Sequence, residues 1–402
     1  MRLFFYLYSF TLLIALSPAT HSAEQPTPAM TLTPASFIPP PPDIAANAYI
    51  LVDATTGSVL AEKNADQHLP PASLTKLMSS HLVVDQLEQG LIQESNLVTV
   101  SVKAWKMGGS RMFIKEGTQV SVGDLLRGVI IQSGNDATVA LAEYIAGDED
   151  AFVDMMNKKA HELGMTETHF VDASGMPAEG HYTSARDLSK LAQAIVKDNP
   201  AYYKLYSEKS FTYNNIHQPN RNLLLDRDPT VDGLKTGHTE EAGYCLVASA
   251  KHDATRLIAV VLGTKSDAAR ATETQKLLNY GFRYFETATL YANNPVVTKA
   301  RVWSGKASEI NLGLNNAVQL TLPRGKVEVV TANVHRNETI IAPVPKGSQL
   351  GTLTIELDGK VLSTQNLIAL DAVEEASFIH RLWDRIKLFF RGLFSNESSL
   401  AE

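Results

Sequence analysis

The segment Pro-Ala-Ser-Leu-Thr-Lys-Leu-Met, residues 71–78, places a serine and a lysine three positions apart at the start of an apolar repeat. Leu74, Leu77 and the apolar residues that follow recur at three- and four-residue steps, which is the spacing of a buried helix face. Residues three apart on a helix lie on the same face, one turn apart. The segment therefore predicts a buried helix that begins with the Ser73 hydroxyl within reach of the Lys76 amine.

This pair of side chains suits nucleophilic catalysis. A serine hydroxyl is a poor nucleophile until a base removes its proton, and Lys76 can be that base only if its pKa falls well below the ordinary value of about 10.4. The positive end of a helix and removal from water both disfavour the protonated amine. Ser-x-x-Lys is nevertheless common by chance in long chains, so the surrounding sequence has to decide between an active site and an ordinary helix turn.

Strand-like segments lie at both ends of a mainly helical region around this helix. Residues 48–52 and 58–61 flank a turn and predict a β-hairpin, while residues 243–250 and 256–263 are apolar runs of strand length. A helix-like segment follows at residues 275–284. Strands at both ends with helices between them predict an α+β domain whose terminal strands join in one sheet.

From about residue 298 the pattern changes to short β-rich runs punctuated by glycine and proline. The region predicts a small all-β sandwich at residues 298–372, and we place the domain boundary between residues 287 and 297. The runs are residues 318–322, 327–330, 340–344 and 350–357.

The last segment, residues 374–396, predicts an amphipathic helix with a stripe of large apolar side chains opposite basic ones. Such a helix is typical of a membrane interface with anionic lipid head groups, although a helix docked on the β-rich domain would show the same pattern. The stripe consists of Phe378, Ile379, Leu382, Trp383, Ile386, Phe389, Phe390 and Leu393, and the cations are Arg381, Arg385, Lys387 and Arg391.

The N-terminus is typical of a secretory signal peptide, predicted at residues 1–23. Its apolar run, residues 3–16, is shorter than the roughly 20 residues that a spanning helix needs, and small residues follow it. An uncleaved anchor is the alternative. Residues 24–45 are rich in proline, threonine and alanine, which predicts an extended linker. Cys245 is the single cysteine of the chain, so no intrachain disulfide can form.

Length and composition indicate an ordinary globular protein. A chain of 402 residues suggests two folded units, and its 44% hydrophobic and 20% charged residues are near the averages for such proteins. A net charge of -7, with no long basic cluster before the tail, argues against nucleic acid as a partner. His-Glu-Leu-Gly-Met, residues 161–165, lacks the second histidine of a zinc motif, so we expect no metal and no cofactor.

Two further motifs follow the serine–lysine pair. Ser-Gly-Asn, residues 133–135, can form a tight turn that aims a hydroxyl and a carboxamide into a cleft, with Asp136 predicted to cap the next helix. Lys-Thr-Gly-His, residues 235–238, contains Gly237, which lets a substrate lie close to the backbone at a sheet edge. Taken separately, each motif is equally compatible with a surface turn or strand.

Taken together and in this order, Ser-x-x-Lys, Ser-x-Asn and Lys-Thr-Gly resemble the motif set of penicillin-binding proteins and serine β-lactamases. The chain is most similar to the low-molecular-mass D-alanyl-D-alanine carboxypeptidases. That resemblance implies a β-lactamase/DD-peptidase-like antiparallel sheet with helices, an α+β catalytic domain at residues 46–287. The segments that carry it are residues 71–78, 132–137, 220–222 and 232–239.

The resemblance also implies a role for each motif residue. Ser73 is then the acylated nucleophile, Lys76 its general base, and Ser133 the group that relays a proton to the leaving D-alanine. The oxyanion hole is implied to consist of the backbone N–H groups of Ser73 and His238. The implied substrate-binding residues are Asn135, Lys235, Thr236, Gly237, His238 and Arg270.

Among these binding residues, Lys235 and Thr236 are implied to hold the terminal carboxylate of the substrate by charge and hydrogen bond. Asn135 is implied to hold the peptide backbone of the substrate. Arg270 aligns with an arginine near the carboxylate site of the family, although an exposed salt bridge explains it equally well.

The implied activity is removal of the terminal D-alanine from peptidoglycan stem pentapeptides through an acyl-enzyme, with covalent inhibition by penicillins. A class A β-lactamase is disfavoured, because Gly134 replaces the aspartate of its Ser-Asp-Asn motif and no matching glutamate motif lies between Asn135 and Lys235. A D,D-endopeptidase would use the same residues, and a non-catalytic cell-wall scaffold would keep the same fold. We expect an exported protein at the periplasmic face of the cytoplasmic membrane, with stem peptides, β-lactams and the membrane surface as partners.

Overall fold

The computed structural model describes the backbone of residues 38–395. The signal peptide predicted at residues 1–23 lies outside the described residues, as does the linker as far as residue 37. The rest of the linker lies along the final helix of the first domain. There Tyr280 donates to the carbonyl of Pro39 at 3.0 Å, Glu273 accepts from the Ala45 N–H at 3.1 Å, and Ile44 is buried.

A five-stranded antiparallel sheet forms the centre of the first domain, in the order β2-β1-β9-β8-β7. The first strand of the chain thus pairs with the last strand of the domain, which confirms the predicted closure of one sheet. The strands are β1 (Ala48–Asp53), β2 (Val59–Lys63), β3 (Leu97–Thr99), β4 (Gln119–Ser121), β5 (Ser210–Tyr213), β6 (Ile216–Pro219), β7 (Val231–Thr239), β8 (Gly243–His252) and β9 (Thr255–Thr264).

Helices cover both faces of this sheet. Alternate residues of β9 point to opposite faces, so Ile258 and Val260 join the core on one side while Leu257 and Val261 pack with α9 on the other. The helices are α1 (Lys76–Glu88), α2 (Val102–Lys106), α3 (Val122–Arg127), α4 (Asn135–Ala146), α5 (Glu149–Glu162), α6 (Ala185–Asp198), α7 (Pro200–Tyr203), α8 (Leu224–Arg227) and α9 (Asp267–Tyr284). This arrangement confirms the predicted α+β fold.

The second domain is all-β, as predicted, and it is followed by a terminal helix. It begins with β10, whose pairing with β13 starts the domain at Phe285, before the start at residue 298 that the sequence predicts. It contains a two-stranded ribbon, β10-β13, and a six-stranded sheet in the order β14-β16-β17-β12-β11-β15. Its elements are β10 (Phe285–Tyr291), β11 (Val296–Trp303), β12 (Glu309–Gly313), β13 (Val318–Pro323), β14 (Thr331–Arg336), β15 (Ile340–Ile341), β16 (Gln349–Leu357), β17 (Lys360–Ala369) and α10 (Phe378–Ser395).

One predicted run of this domain is not a strand. Val327–Val329 forms a 3-10 turn in which the Val329 and Val330 N–H groups bond to the carbonyls of Lys326 and Val327. The backbone groups of the run are thus used locally instead of in a ladder, and the Val329 side chain is exposed. A run of β-branched residues therefore did not suffice to make a strand without a neighbouring strand to pair with.

Asp53 connects the two domains. This buried carboxylate at the end of β1 accepts from the Thr55 N–H at 2.8 Å within its own hairpin turn. It also accepts from the hydroxyls of Thr287 on β10, at 2.5 Å, and Thr321 on β13, at 2.8 Å. The ribbon that opens the second domain is therefore hydrogen-bonded to the first strand of the five-stranded sheet.

Candidate active site

Ser73 lies in a 3-10 turn, Ala72–Thr75, which leads directly into α1. Its neighbour Ala72 has a left-handed backbone conformation, with φ of +48°, a strained geometry for a residue with a side chain. The turn is pressed against Gly175, where an added Cβ would come within 1.8 Å of the Ala72 carbonyl oxygen. Only a glycine at position 175 therefore allows this close approach, which holds the Ser73 hydroxyl at the edge of the cleft.

Lys76 is fully buried one turn further along. Its Nζ lies 3.1 Å from Ser73 Oγ and donates to the carbonyl oxygen of Ser174. Burial is the main cause that lowers the pKa of Lys76 to about 7; Arg221 also lowers it, and Asp172 opposes the shift. A substantial fraction of the amine is therefore neutral near neutral pH, which is the state that can accept a proton from the serine.

Ser133 faces the cleft from the opposite wall. A π-helical turn, Gly128–Gln132, precedes it, and Ser133 itself is left-handed with φ of +66°. Its hydroxyl has no hydrogen-bond partner among the residues that the structure describes. Since a buried hydroxyl without a partner is energetically costly, this one is available to a bound substrate or to water.

Asn135 begins α4 and anchors the neighbouring loop. Its side-chain Nδ2 donates to the Gly108 carbonyl at 2.7 Å, and its backbone N–H donates to the Ser110 carbonyl at 2.7 Å. Its carboxamide therefore lies behind the loop that forms one rim of the cleft, with the side-chain oxygen remaining for a substrate N–H.

The prediction that Asp136 caps the next helix is wrong. Helix α4 already begins at Asn135, and Gly134 occupies the cap position without a side-chain bond. The Asp136 carboxylate turns back instead and accepts from the N–H groups of Met112, at 2.8 Å, and Phe113, at 2.8 Å. The carboxylate thus satisfies buried backbone donors of the loop that carries Ser110, a demand that local sequence does not reveal.

Strand β7 brings the third motif to the cleft. At Gly237 an added Cβ would lie 3.1 Å from the Pro71 carbonyl and 3.3 Å from the Leu74 N–H, so the strand passes close to the turn that carries Ser73. Thr236 and His238 line the cleft. The amine of Lys235 lies buried behind it, 3.2 Å from the Thr236 carbonyl, and burial together with the positive charge of Lys76 lowers its pKa.

Arg270 reaches the same end of the cleft from α9. Its guanidinium is buried, pairs with Asp267, donates to the Gly237 carbonyl at 3.3 Å and lies over the Tyr244 ring. The salt bridge and the position beside the cleft are therefore both present. Burial is the main cause that lowers the pKa of Arg270, and Asp267 opposes it.

These residues converge on one cleft of about 710 Å³. Ser73, Ser133, Thr236, His238 and Arg270 line it, and Gly237 forms part of its floor. The other predicted site residues, Lys76, Asn135 and Lys235, are buried directly behind these walls. The structure thus brings together all the residues that the sequence motifs singled out.

The cleft also contains residues to which the sequence analysis gave no role. Arg221 and Tyr244 line it, and the Tyr244 ring lies 3.9 Å from that of His238. Arg221 falls within the segment 220–222 already singled out by resemblance, so a signal for it existed. No sequence signal pointed to Tyr244, because only the antiparallel register of β7 and β8 places it opposite His238.

Comparison with known proteins shows which families this chain resembles. The family described as D-alanyl-D-alanine carboxypeptidase matches residues 35–266, and the family described as penicillin-binding protein 5, C-terminal domain, matches residues 285–375. The D-alanyl-D-alanine carboxypeptidase DacC of Escherichia coli K12 is 45% identical over 363 residues, which cover 88% of this chain and 91% of that protein.

Two solved structures extend the comparison to the fold. Penicillin-binding protein 5 from Haemophilus influenzae has a TM-score of 0.79 and 43% identity, and the match covers 83% of this chain and 99% of that one. Penicillin-binding protein D2 from Listeria monocytogenes, in its ampicillin-bound form, has a TM-score of 0.56 and 30% identity over 61% of this chain and 100% of that one.

Proposed function

The chain belongs to the D-alanyl-D-alanine carboxypeptidase family and is a serine-type carboxypeptidase, and on that premise we propose how its own residues carry out the reaction. The observation that supports the proposal most directly is the 3.1 Å separation between Ser73 Oγ and a fully buried Lys76 amine with a pKa of about 7. Ser73 is the nucleophile in this proposal, and Lys76 is its general base.

Substrate recognition begins at the cationic end of the cleft. Thr236 and Arg270 line this end, and the amine of Lys235 lies buried behind it. The terminal carboxylate of a stem peptide is an anion that these donors can bind. The three residues therefore fix the end of the peptide, so that the penultimate carbonyl lies over Ser73, and the oxygen of Asn135 accepts from the peptide backbone.

Acylation follows from the position of Lys76. The neutral amine takes the hydroxyl proton as Ser73 Oγ bonds to the carbonyl carbon of the penultimate D-alanine. The developing oxyanion accepts from the backbone N–H groups of Ser73 and His238, which β7 brings together because Gly237 passes so close to the Ser73 turn. The C–N bond then breaks, and the Ser133 hydroxyl relays the proton to the amine of the departing D-alanine.

Water completes the cycle. It attacks the ester carbonyl carbon as the neutral Lys76 amine takes one of its protons. The bond between that carbon and Ser73 Oγ then breaks, and Lys76 returns the proton to Ser73 Oγ, which releases the shortened peptide as its acid. Covalent inhibition by penicillins is typical of the family, and one relative has been solved in an ampicillin-bound form. In this protein the β-lactam carbonyl is expected to take the place of the peptide carbonyl, and the resulting ester with Ser73 is expected to hydrolyse slowly.

The test is release of D-alanine from a stem pentapeptide by the purified chain from residue 24 onward. Ser73→Ala should abolish release, whereas Ser58→Ala, which removes an exposed hydroxyl in the β1–β2 turn, should not affect it. A cross-linked dimeric muropeptide serves as the competing substrate. Cleavage of the dimer alone would replace the proposal with an endopeptidase, and release that persists in Ser73→Ala would remove Ser73 from its role.

We further propose the organisation and location of the full chain. The proposed parts are a signal peptide at residues 1–23, a linker at residues 24–45, a catalytic domain that begins at residue 46, a β-rich domain that ends at residue 372 and a membrane-interface helix within residues 374–396. Among the described residues no helix is both long and apolar enough to span a bilayer. We propose that the attachment is peripheral, through the amphipathic helix, at the periplasmic face of the cytoplasmic membrane.

Exposure of the apolar stripe on α10 supports this location. Phe378, Ile379, Trp383 and Phe389 are all more than half exposed on the helix surface. A chain ending at residue 374 should lose association with vesicles that contain anionic lipid, whereas the chain ending at residue 402 retains it. Equal association of the two chains would contradict the membrane role of the helix.

A further inference from the structure

A second buried polar network lies behind the nucleophile. Nδ1 of His181 lies 3.1 Å from one carboxylate oxygen of Asp172, and its Nε2 lies 3.0 Å from the hydroxyl of Thr75. Thr75 is the last residue of the Ser73 turn and directly precedes Lys76, and both Thr75 and His181 are buried. The network therefore connects the catalytic helix to a loop about 100 residues further along the chain.

The second carboxylate oxygen of Asp172 organises that loop. It accepts from the backbone N–H groups of Ser174, at 2.7 Å, Gly175, at 2.6 Å, and Met176, at 3.3 Å, and from the Ser174 hydroxyl at 3.0 Å. One carboxylate thus satisfies several donors of a tight turn. The geometry of this turn therefore depends on a single acceptor.

The turn touches the Lys76 amine and the residue that precedes Ser73. The Ser174 carbonyl accepts the hydrogen bond from the Lys76 amine. Gly175 lies against the Ala72 carbonyl, where even a methyl group would collide. A displacement of the turn would therefore move the amine that takes the proton and the residue that precedes the nucleophile.

The charge of the Asp172 carboxylate also acts on the Lys76 amine. Burial raises the pKa of Asp172, but the His181 hydrogen bond and the backbone N–H groups lower it to about 2, so the carboxylate is ionised at neutral pH. The Asp172 carboxylate is one of four charged groups near Lys76. The others are Asp136 of α4, Arg221 between β6 and α8, and Lys235 of β7. Asp172 has the larger of the two acidic effects on Lys76, and removing its charge should lower the pKa of the amine.

We propose that Asp172 and His181 are positioning residues for acylation: through the 174–175 turn and Thr75 they hold the Lys76 amine against Ser73. This inference rests on the proposed roles of Ser73 and Lys76. The pair does not touch the substrate, and it acts by placing the base and by setting its charge environment.

The experiment measures the acylation rate with a fluorescent penicillin between pH 5 and pH 10. In the plot of rate against pH, Asp172→Asn should lower the plateau rate about tenfold or more. It should also move the acid limb, where the rate falls as Lys76 gains its proton, about one pH unit lower, because an amine without the nearby carboxylate loses its proton more readily. His181→Gln, which keeps an amide at the position of the ring, should retain more of the rate than His181→Ala. A purely structural role would lower the rate without moving the limb.

Asp187→Asn is the matched control. Asp187 is likewise buried and accepts from the Glu167 N–H and the Thr168 hydroxyl, but it has no bond to the 174–175 turn. Its variant should keep the acid limb in place. Thr75→Val gives a second route if Asp172→Asn does not fold, since it breaks only the helix end of the network. It should lower the plateau rate, and Thr75→Ser, which keeps the hydroxyl that His181 contacts, should restore the rate.

An unchanged rate and limb in Asp172→Asn would overturn this inference while leaving the proposed mechanism intact. An unchanged plateau rate in Thr75→Val would likewise overturn it. Failure of the mechanism itself appears differently, as labelling that persists in Ser73→Ala. The two sets of variants therefore separate the positioning role from the identity of the nucleophile.

Discussion

The active-site cleft and the terminal helix depart from the usual distribution of side chains in opposite directions. In the cleft two lysines are almost fully buried, Lys76 with 0% and Lys235 with 3% of its surface exposed. On α10 the large aromatics are in contact with solvent, with Phe378 71% and Trp383 60% exposed. Both arrangements are unfavourable in water, since charges prefer hydration and aromatic surface prefers burial.

The difference shows what each region is adapted to meet. Burial lowers the pKa values of both amines, which suits Lys76 to the proposed role of general base. The positively charged residues around the cleft suit the proposed binding of a carboxylate. Exposure of the aromatics on α10 suits the contact with an apolar phase that we propose for this helix. The buried amines thus fit the reaction, and the exposed aromatics fit the location that we propose.

Helix α10 is not free of the β-rich domain, however. Asp384 is buried and accepts from the Ser304 N–H at 2.8 Å, so one face of the helix is docked. The aromatic face remains open. Docking on the β-rich domain and contact with a membrane are therefore compatible, because they use different faces of the same helix.

The largest expected effect is loss of the buried base. Lys76→Ala should lower the rate of acylation by a fluorescent penicillin by about 10²- to 10⁴-fold, because the Ser73 hydroxyl then has no adjacent group to take its proton. Lys63→Ala, which removes an exposed lysine, is the control. Acylation at the ordinary rate by a folded Lys76→Ala chain would show that burial of this amine serves another purpose.

The pH dependence of acylation should follow the same amine. Only the neutral form of Lys76 accepts a proton, so with a pKa of about 7 the rate should rise through neutral pH and level off near pH 8 to 9. At pH 5, two units below that pKa, the rate should be about 100-fold lower than the plateau. A rate independent of pH between 5 and 9 would exclude Lys76 as the group that titrates.

The aromatic face of α10 should give an intermediate effect. Replacing Trp383 and Phe389 together by serine should weaken association with anionic vesicles about tenfold or more, since burying each such side chain contributes roughly 1.5–3 kcal/mol. Leu91→Ser with Val296→Ser removes equally exposed apolar side chains elsewhere and is the matched control. Equal losses in the two double variants would mean that α10 has no special role in binding.

The smallest expected effect is on stability. The pKa of Lys76 is lowered on folding, so the unfolded chain binds its proton more tightly and the contribution of this group to stability falls as pH drops from 10.5 towards 7. Lys76→Met, which removes the titrating group, should raise the Tm by about 2–4 °C at pH 7 and by less at pH 10. A lower Tm at pH 7 would show that the hydrogen bonds of the amine outweigh the cost of burying it.

Local sequence patterns were sufficient for most of the fold. The hairpin of β1 and β2 and the apolar strands β8 and β9 appear close to the predicted places, and α10 begins at Phe378, four residues after its predicted start. They could be predicted because burial on one or two faces imposes a period of two on strands and between three and four on helices. The strand predicted at residues 327–330 was wrong, because strand formation depends on a partner strand and the residues of the run do not encode one.

The sequence by itself determined the reactive groups: Ser73 and Lys76 one turn apart, followed by the Ser-Gly-Asn and Lys-Thr-Gly motifs. Only the tertiary structure decided what surrounds them. The network from Asp172 through His181 to Thr75, the turn of Asp136 towards Met112 and the close passage of β7 by the Ser73 turn all join distant parts of the chain. Local periodicity does not predict such contacts, because they form only when separate elements pack together and their buried polar groups require hydrogen-bond partners.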